Sequence, residues 1–241
     1  MKYANKFQNQ TAYNTWKSGS SYVTPNVGLL SDSGDVVYQR LPKTNSHDYV
    51  DLGLPSRALW ATMNVGASSA SDVGYYLAWG SLWTSNVYTW NTYRFGTEDN
   101  LTKYSIEDGL WELQPEDDAA QYYWGGDWHV PSWNQWEELF DYTDHKSMYD
   151  QPDVLNGVNG IIFTNQSDSS KSIFIPFGGY KDNNTIPYPG ELNYWSNEGF
   201  DNSAGMTYYN GDAGFSVEGH YKYLGAPVRG IIGKIVRPEH E

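Results

Sequence analysis

The chain has 241 residues, 17% of them aromatic, a formal net charge of −14 and no cysteine. These values exclude disulfides, thiolate metal sites and cysteine nucleophiles, and they argue against nucleic-acid binding, which needs a basic surface. The sequence contains no apolar run long enough to predict membrane insertion, and residues 1–16 lack the apolar core of a signal peptide.

The charge is unevenly distributed along the chain. Residues 1–47 carry five Lys or Arg and two Asp, whereas residues 98–153 carry 15 acidic and two basic side chains. We interpret the acidic stretch as a solvated surface. The mildly basic N-terminal segment is suited to docking on an acidic partner.

The N-terminal segment has the pattern of a β-hairpin. Pro25–Leu30 and Asp35–Gln39 flank the turn sequence SDSG, and Leu41–Ser46 has the composition of a linker. Because an isolated hairpin is marginally stable in water, we expect it to pair with another chain or to lie on the main domain. The sequence therefore predicts an anchor or oligomerisation segment over residues 1–46 and a second domain over residues 47–241.

The strongest helix signal follows Ser132. This residue is a good N-cap, and Gln135 three positions later completes a capping box. Trp133, Trp136, Leu139 and Phe140 recur at steps of three and four residues, so the pattern predicts a helix with both tryptophans facing inward.

Other elements are short and separated by Gly, Asn and Asp. The sequence LQPEDDAAQYYWG predicts a second helix with Pro115 in its first turn. Apolar segments between turn sequences predict strands at Leu59–Met63, Gly74–Ser81, Asn156–Thr164 and Lys171–Pro176. These patterns predict an α+β fold with two short helices, small antiparallel sheets and long aromatic-rich loops.

Eight segments in one order resemble the Bacteroidales paralogous-domain proteins, whose domain belongs to the C-type-lectin-like group. That group includes the formylglycine-generating enzymes and the variable proteins of diversity-generating retroelements. The matching segments are YVDLGLPSRALWATMNVGA (49–67), YYLAWGS (75–81), LTKYS (101–105), LQPEDDAAQYYWGGDWHVPSWNQWEEL (113–139), VNGIIFT (158–164), IFIPFGGY (173–180), YWSN (194–197) and VRGIIGKIVRP (228–238). The resemblance implies a C-type-lectin-like domain.

The chain departs from the pattern of this family at two turns and at its C-terminus. Arg57 stands where the family usually has Gly, and YWSN at 194–197 replaces the usual YWSS. The triplet VRG at 228–230 resembles a second copy of the terminal VRP. The register of the last strands is therefore left open by the resemblance.

A shorter resemblance concerns the N-terminal segment. The stretch SGSSYVTPNVGLLSDSGDVVY (18–38) is similar to the start of structural proteins from phages that infect Bacteroidales. It implies a virion protein, for which no signal peptide is needed.

Enzymatic activity of the related groups does not carry over to this chain. Formylglycine-generating enzymes use cysteines, and this chain has none. Related iron oxidases use a histidine cluster, but the five histidines form no spaced ligand pair. They are His47, His129, His145, His220 and His240. We therefore expect no catalytic residues and no cofactor.

A calcium–sugar site of the lectin type has only a partial signal. Gln151-Pro152-Asp153 reads QPD, but no WND triplet follows at the expected distance. The triplet Trp195-Ser196-Asn197 resembles WND only loosely. We interpret the QPD triplet as an ordinary turn sequence and expect no metal site.

The C-terminal region has the composition of a binding surface. Between Tyr194 and Tyr223 the chain is rich in Tyr, Asn, Ser and Gly, the residues that dominate antibody paratopes. The same region is the variable binding face in the retroelement-diversified relatives. We expect Trp195, Tyr208 and Phe215 in the core, and an exposed binding face formed by Asn197, Glu198, Tyr209, Asp212, His220, Tyr221 and Tyr223.

Three functional hypotheses follow. The first is a non-enzymatic virion structural protein of a Bacteroidales phage, such as a homotrimeric head or tail fibre or decoration. It would bind other virion proteins through its N-terminal segment and host-surface glycan or protein through its lectin-like domain. The second is a bacterial cell-surface or secreted lectin-like protein. The third is an oxidase of the formylglycine-generating type.

Overall fold

The fold consists of small antiparallel sheets packed around two short helices. The computed structural model describes residues 47–148, 157–211 and 214–234, together with the backbone of residues 38–40. This sheet-rich α+β architecture confirms the predicted class. The predicted hairpin partner Pro25–Leu30, the linker Leu41–Ser46 and the QPD triplet at 151–153 lie outside the described residues.

Fourteen strands and two α-helices make up the regular structure of the described residues. The helices are α1 (Ala119–Trp124) and α2 (Trp133–Asp141), and a 3-10 turn covers Trp90–Thr92. The strands are β1 (Tyr38–Arg40), β2 (Tyr49–Asp51), β3 (Leu59–Asn64), β4 (Trp83–Ser85), β5 (Gly96–Thr97), β6 (Asn100–Leu101), β7 (Trp128–His129), β8 (Thr143–Met148), β9 (Gly160–Asn165), β10 (Ser172–Pro176), β11 (Trp195–Phe200), β12 (Ser203–Tyr209), β13 (Phe215–Tyr221) and β14 (Arg229–Ile232).

The strands form five sheets. A four-stranded sheet has the order β2-β3-β14-β7, so β14, at the end of the described residues, pairs with β3, near residue 60. Two three-stranded sheets have the orders β10-β9-β8 and β11-β12-β13, and β5 pairs with β6. Strand β1 pairs with β4, so the backbone of residues 38–40 lies on the second domain, one of the two arrangements that we expected for this segment.

The capping box predicted at the start of α2 is present, but one of the two tryptophans faces outward. Trp136 is fully buried and its ring lies 4.9 Å from that of Trp60. Trp133 is 40% exposed, which corrects the prediction. The buried face of α2 includes the capping residue Gln135. Because successive helical residues are rotated by about 100°, Trp133 lies about 90° from the centre of this face and is partly exposed.

Two other elements differ from the prediction. Helix α1 begins at Ala119, four residues after Pro115, because Asp118 is the residue that caps it through the backbone N–H of Gln121. The segment Gly74–Ser81 is not a strand but makes an isolated bridge at Leu77. The N–H of Trp79 donates to the carbonyl oxygen of Lys222, and Gly74 and Gly80, both with φ near +70°, bend the chain at each end of the segment.

The core has two apolar clusters, which meet at strand β11. One contains Trp79, Trp195 and Tyr104, and the other contains Trp60 and Tyr194. Because Trp195 and Tyr194 are consecutive in the chain, the clusters lie on opposite sides of this segment.

The buried guanidinium of Arg229 ties β14 to two neighbouring strands. It donates to the carbonyl oxygens of Ala61 at 2.7 Å and Phe174 at 2.9 Å. Burial lowers the pKa of this guanidinium to about 10. A buried cation without a carboxylate therefore helps to fix the packing of two sheets.

Candidate functional site

Three aromatic rings meet where strand β13 ends. The rings of Tyr221 and Tyr223 are stacked, with centroids 5.7 Å apart and planes 21° apart. The ring of Trp90 contacts both of them edge-on, at 5.7 Å and 5.2 Å. Tyr221 is 43% exposed, so this group of rings opens to solvent.

Carboxylates accompany these rings. The hydroxyl of Tyr223 donates to Oδ1 of Asp182 at 3.3 Å. Burial raises the pKa of Tyr223 to about 12, and the charge of Asp182 adds to this effect. The charge of Glu98 raises the pKa of the Tyr221 hydroxyl. Both hydroxyls therefore stay protonated over the physiological range. Their protons are shared with carboxylates, and their oxygens remain able to accept a hydrogen bond from a ligand.

A second group of rings lies beside the first, on the other side of β13. The ring of Tyr180 is 5.6 Å from His220 and 5.8 Å from Tyr188, which is 50% exposed. Burial lowers the pKa of His220, although the charge of Glu218 opposes this shift. The imidazole is therefore neutral at neutral pH, with one donor and one acceptor nitrogen.

The segment 180–182 joins the two groups. Tyr180 belongs to the second group, and Asp182 binds Tyr223 of the first. Between them, Lys181 places its ammonium 4.7 Å from the ring centroid of Tyr76, and burial lowers its pKa. We call the whole assembly the tyrosine surface, defined by Trp90, Tyr180, Tyr188, His220, Tyr221 and Tyr223.

Three of the seven predicted site residues lie on the tyrosine surface: His220, Tyr221 and Tyr223. Glu198 lies elsewhere, at the start of α2, where its Oε2 accepts a hydrogen bond from the backbone N–H of Trp133 at 2.8 Å. Asp212 lies outside the described residues.

The expectation that Asn197 and Tyr209 are exposed is wrong. Asn197 is 1% exposed, because its backbone bonds to Pro131 and Leu113 place it between two other segments. Tyr209 is 8% exposed, and its hydroxyl forms a 2.6 Å hydrogen bond with Ser147. Neither side chain is therefore available to a ligand in this structure.

The predicted core residues are only partly confirmed. Trp195 is buried, and Phe215 is half-buried and stacks on Phe140 with centroids 3.8 Å apart. Tyr208 is half-buried. Burial raises the pKa of its hydroxyl, and the charges of Glu191 and Glu218 raise it further. The roles that we predicted for the neighbours Tyr208 and Tyr209 are therefore reversed.

Sequence reasoning missed half of the tyrosine surface. Trp90, Tyr180 and Tyr188 come from loops far from β13 in the chain, and nothing in their local pattern indicates a shared surface. Only contacts between distant segments bring them together. The composition of these loops, rich in Tyr and Trp, was the one available signal.

The surface has the composition of a binding site. Within the described ranges, no group of three or more His, Asp or Glu residues is placed to hold a metal ion. Exposed rings supply flat apolar area, and the nearby hydroxyls and carboxylates supply hydrogen bonds. This combination is typical of paratopes and of ligand sites with few fixed polar groups.

No helix in the described part of the chain is long and apolar enough to cross a membrane. Comparisons of the chain with protein-family models, with curated proteins and with solved structures found no match.

Proposed function

We propose that this chain is a non-enzymatic adhesion protein with a C-type-lectin-like domain that binds host-surface glycan or protein through the tyrosine surface. The observation that carries the proposal is the group of rings at the end of β13, where Trp90, Tyr221 and Tyr223 contact one another beside solvent. Tyr221 and Tyr223 belong to the stretch Tyr194–Tyr223, for which the resemblance implies a binding face like the variable one of the retroelement-diversified relatives.

The C-type-lectin-like assignment has support from the architecture. The described residues form two short helices, small antiparallel sheets and a strand, β14, that pairs with β3 near the start of the domain. Long loops rich in aromatic residues connect these elements.

The setting that we propose is the virion of a Bacteroidales phage, as part of a head or tail fibre or decoration. Residues 1–46 would attach the domain to other virion proteins, and the assembly would be a homotrimer. Mass spectrometry of gradient-purified phage particles, beside outer-membrane fractions of the host, tests this setting. A fixed copy number in particles is expected, and recovery only from host membranes would favour a bacterial cell-surface protein instead.

Binding itself is tested with fluorescently labelled protein on Bacteroidales host cells. The double variant Tyr221→Ala/Tyr223→Ala should lose at least tenfold in affinity, because aromatic anchors carry much of the energy of such surfaces. Tyr142→Ala is the matched control, since Tyr142 is 52% exposed at the end of α2 and is not one of the residues that form the tyrosine surface. Equal loss of binding in the control, or no loss in the double variant, would argue against the proposal.

A further inference from the structure

A second pair of exposed rings lies near the tyrosine surface. Phe200, at the end of β11, is 64% exposed, and Trp111 is 38% exposed. Their rings are stacked, with centroids 4.9 Å apart and planes 25° apart. Large apolar side chains stacked at the surface present a flat area that water does not solvate well.

The backbone holds these two rings in place. The N–H of Gly199 donates to the carbonyl oxygen of Trp111 at 2.8 Å, and the N–H of Leu113 donates to that of Asn197 at 2.9 Å. The loop that carries Trp111 therefore runs beside β11 like an additional strand. The ring pair is preorganised, which reduces the entropy lost when a ligand binds.

Strand register places the ring pair in line with the tyrosine surface. Phe200 pairs with Ser203, and Ser203 pairs with Tyr221. Residues paired across antiparallel strands point to the same face, so Phe200 and Tyr221 share a face. They are two strand spacings apart, about 10 Å. The small side chain of Ser203 lies between them on this face, and we call the strip Phe200–Ser203–Tyr221 the trough.

The charges around this trough are acidic. Asp201 follows Phe200 in the chain, Glu112 follows Trp111, and the charge of Glu98 acts on Tyr221. The nearby ammonium of Lys222 is buried and points to backbone carbonyl oxygens.

Other cations of the same region are also engaged. Arg94 and Lys103 both form ion pairs with Asp117. An anionic ligand would therefore meet repulsion at the trough, whereas carboxylates readily accept hydrogen bonds from the hydroxyls of a neutral sugar.

We propose that Trp111 and Phe200 form a second stacking subsite and that the ligand is an extended chain of neutral sugars lying across Ser203 to Tyr221. This inference rests on the proposed function, because it identifies the chemical class of ligand for the adhesion face. Two stacking areas about 10 Å apart favour an oligosaccharide over a single sugar, since one ring unit does not reach both.

Isothermal titration with neutral oligosaccharides tests the inference. The probes are manno-, xylo- and cello-oligosaccharides of two to six units, with oligogalacturonates of equal length as the anionic counterpart. Affinity should rise with length for at least one neutral series and stay below detection for the anionic one. In Phe200→Ala, the longest probe should bind five- to tenfold more weakly and the shortest unchanged, whereas Tyr142→Ala should match the unaltered protein.

The outcomes separate this inference from the proposed function. If Phe200→Ala binds all lengths like the unaltered protein while Tyr221→Ala/Tyr223→Ala loses cell binding, the second subsite is wrong and the adhesion function stands. Preference for the anionic probes would overturn the inference. The inference would also be overturned if no neutral sugar bound and protease treatment of the host cells abolished cell binding, because that result would identify a protein receptor. Absence of cell binding by the unaltered protein would count against the proposed function.

Discussion

The ammonium of Lys222 donates a 2.8 Å hydrogen bond to the backbone carbonyl oxygen of Tyr104, 118 residues away in the chain. It also donates to the carbonyl oxygen of Asp201 and lies 4.7 Å from the ring centroid of Trp79. Tyr104 and Asp201 have φ of 61° and 49°, the left-handed conformation that non-glycine residues rarely adopt. A buried cation therefore fixes two strained turns, one of which follows Phe200.

Replacement of Lys222 should change how stability depends on pH. Burial lowers the pKa of its ammonium from an ordinary value of 10.5 to about 8, so between these pH values the unfolded chain binds more protons than the folded one. The free energy of unfolding should therefore rise from pH 8 to pH 10, by about 1–2 kcal/mol once solvent screening is allowed for. Above pH 10, ionisation of tyrosines in the unfolded chain opposes this trend.

Urea denaturation at pH 7, 8, 9 and 10 measures this effect. In Lys222→Met the rise between pH 8 and pH 10 should disappear. Lys171→Met is the control, because the Lys171 side chain is 45% exposed and its replacement should leave the rise intact. Parallel curves for the unaltered protein and Lys222→Met would contradict the prediction.

The two tryptophans of α2 should differ sharply in their effect on stability. Trp136 is fully buried against Trp60, and its indole N–H donates to the carbonyl oxygen of Trp195 at 3.3 Å. Trp136→Ala should cost about 3–5 kcal/mol. Trp133→Ala should cost less than about 1 kcal/mol, since that ring is 40% exposed. Equal midpoints of urea unfolding for the two variants would show that our assignment of the buried face is wrong.

Replacement of Arg57 by glycine should stabilise the protein. Arg57 has φ of 60° and an exposed side chain, and its N–H closes a turn by donating to the carbonyl oxygen of Leu54. Relief of the left-handed strain should raise the free energy of unfolding by about 1 kcal/mol, or roughly 2–4 °C in thermal midpoint. Calorimetry measures the shift, and Arg57→Ala, which keeps a Cβ, should show no comparable gain.

Tyr209 and Tyr221 should affect different properties. Tyr209→Phe removes only the hydroxyl bonded to Ser147 and should cost about 1 kcal/mol of stability without changing ligand binding. Tyr221→Ala removes an exposed ring and should weaken binding while leaving stability within about 0.5 kcal/mol. Calorimetry and cell binding of both variants measure the contrast. A loss of binding in Tyr209→Phe would mean that this residue reaches the ligand.

Local sequence signals were sufficient where short-range chemistry decides the structure. The capping box of Ser132 and Gln135 predicted the start of α2, since both hydrogen bonds join residues three positions apart. Strands β3, β9 and β10 were predicted from apolar segments between turn sequences. The first residue of α1 was harder to predict, because Asp117 and Asp118, which follow Pro115, are both suitable N-cap residues.

The face of each strand was harder to predict where a sheet is covered on both sides. In β12, Ala204, Gly205, Met206 and Thr207 are all buried, so alternation between the two faces carries little information. The sequence pattern therefore could not tell that Tyr209 points to the core and Tyr208 to the surface. The register with β13, in which Tyr209 pairs with Phe215 beside α2, decides it.

The sequence by itself determined the aromatic-rich composition, the acidic charge, the α+β class and the region of β13 as a candidate site. Only the tertiary structure brought Trp90 and Tyr180 to Tyr221 and His220, and only strand register aligned Phe200 with Tyr221. The reason is physical. Composition and short-range periodicity are properties of neighbouring residues, whereas a surface built from loops depends on long-range packing that local propensity does not encode.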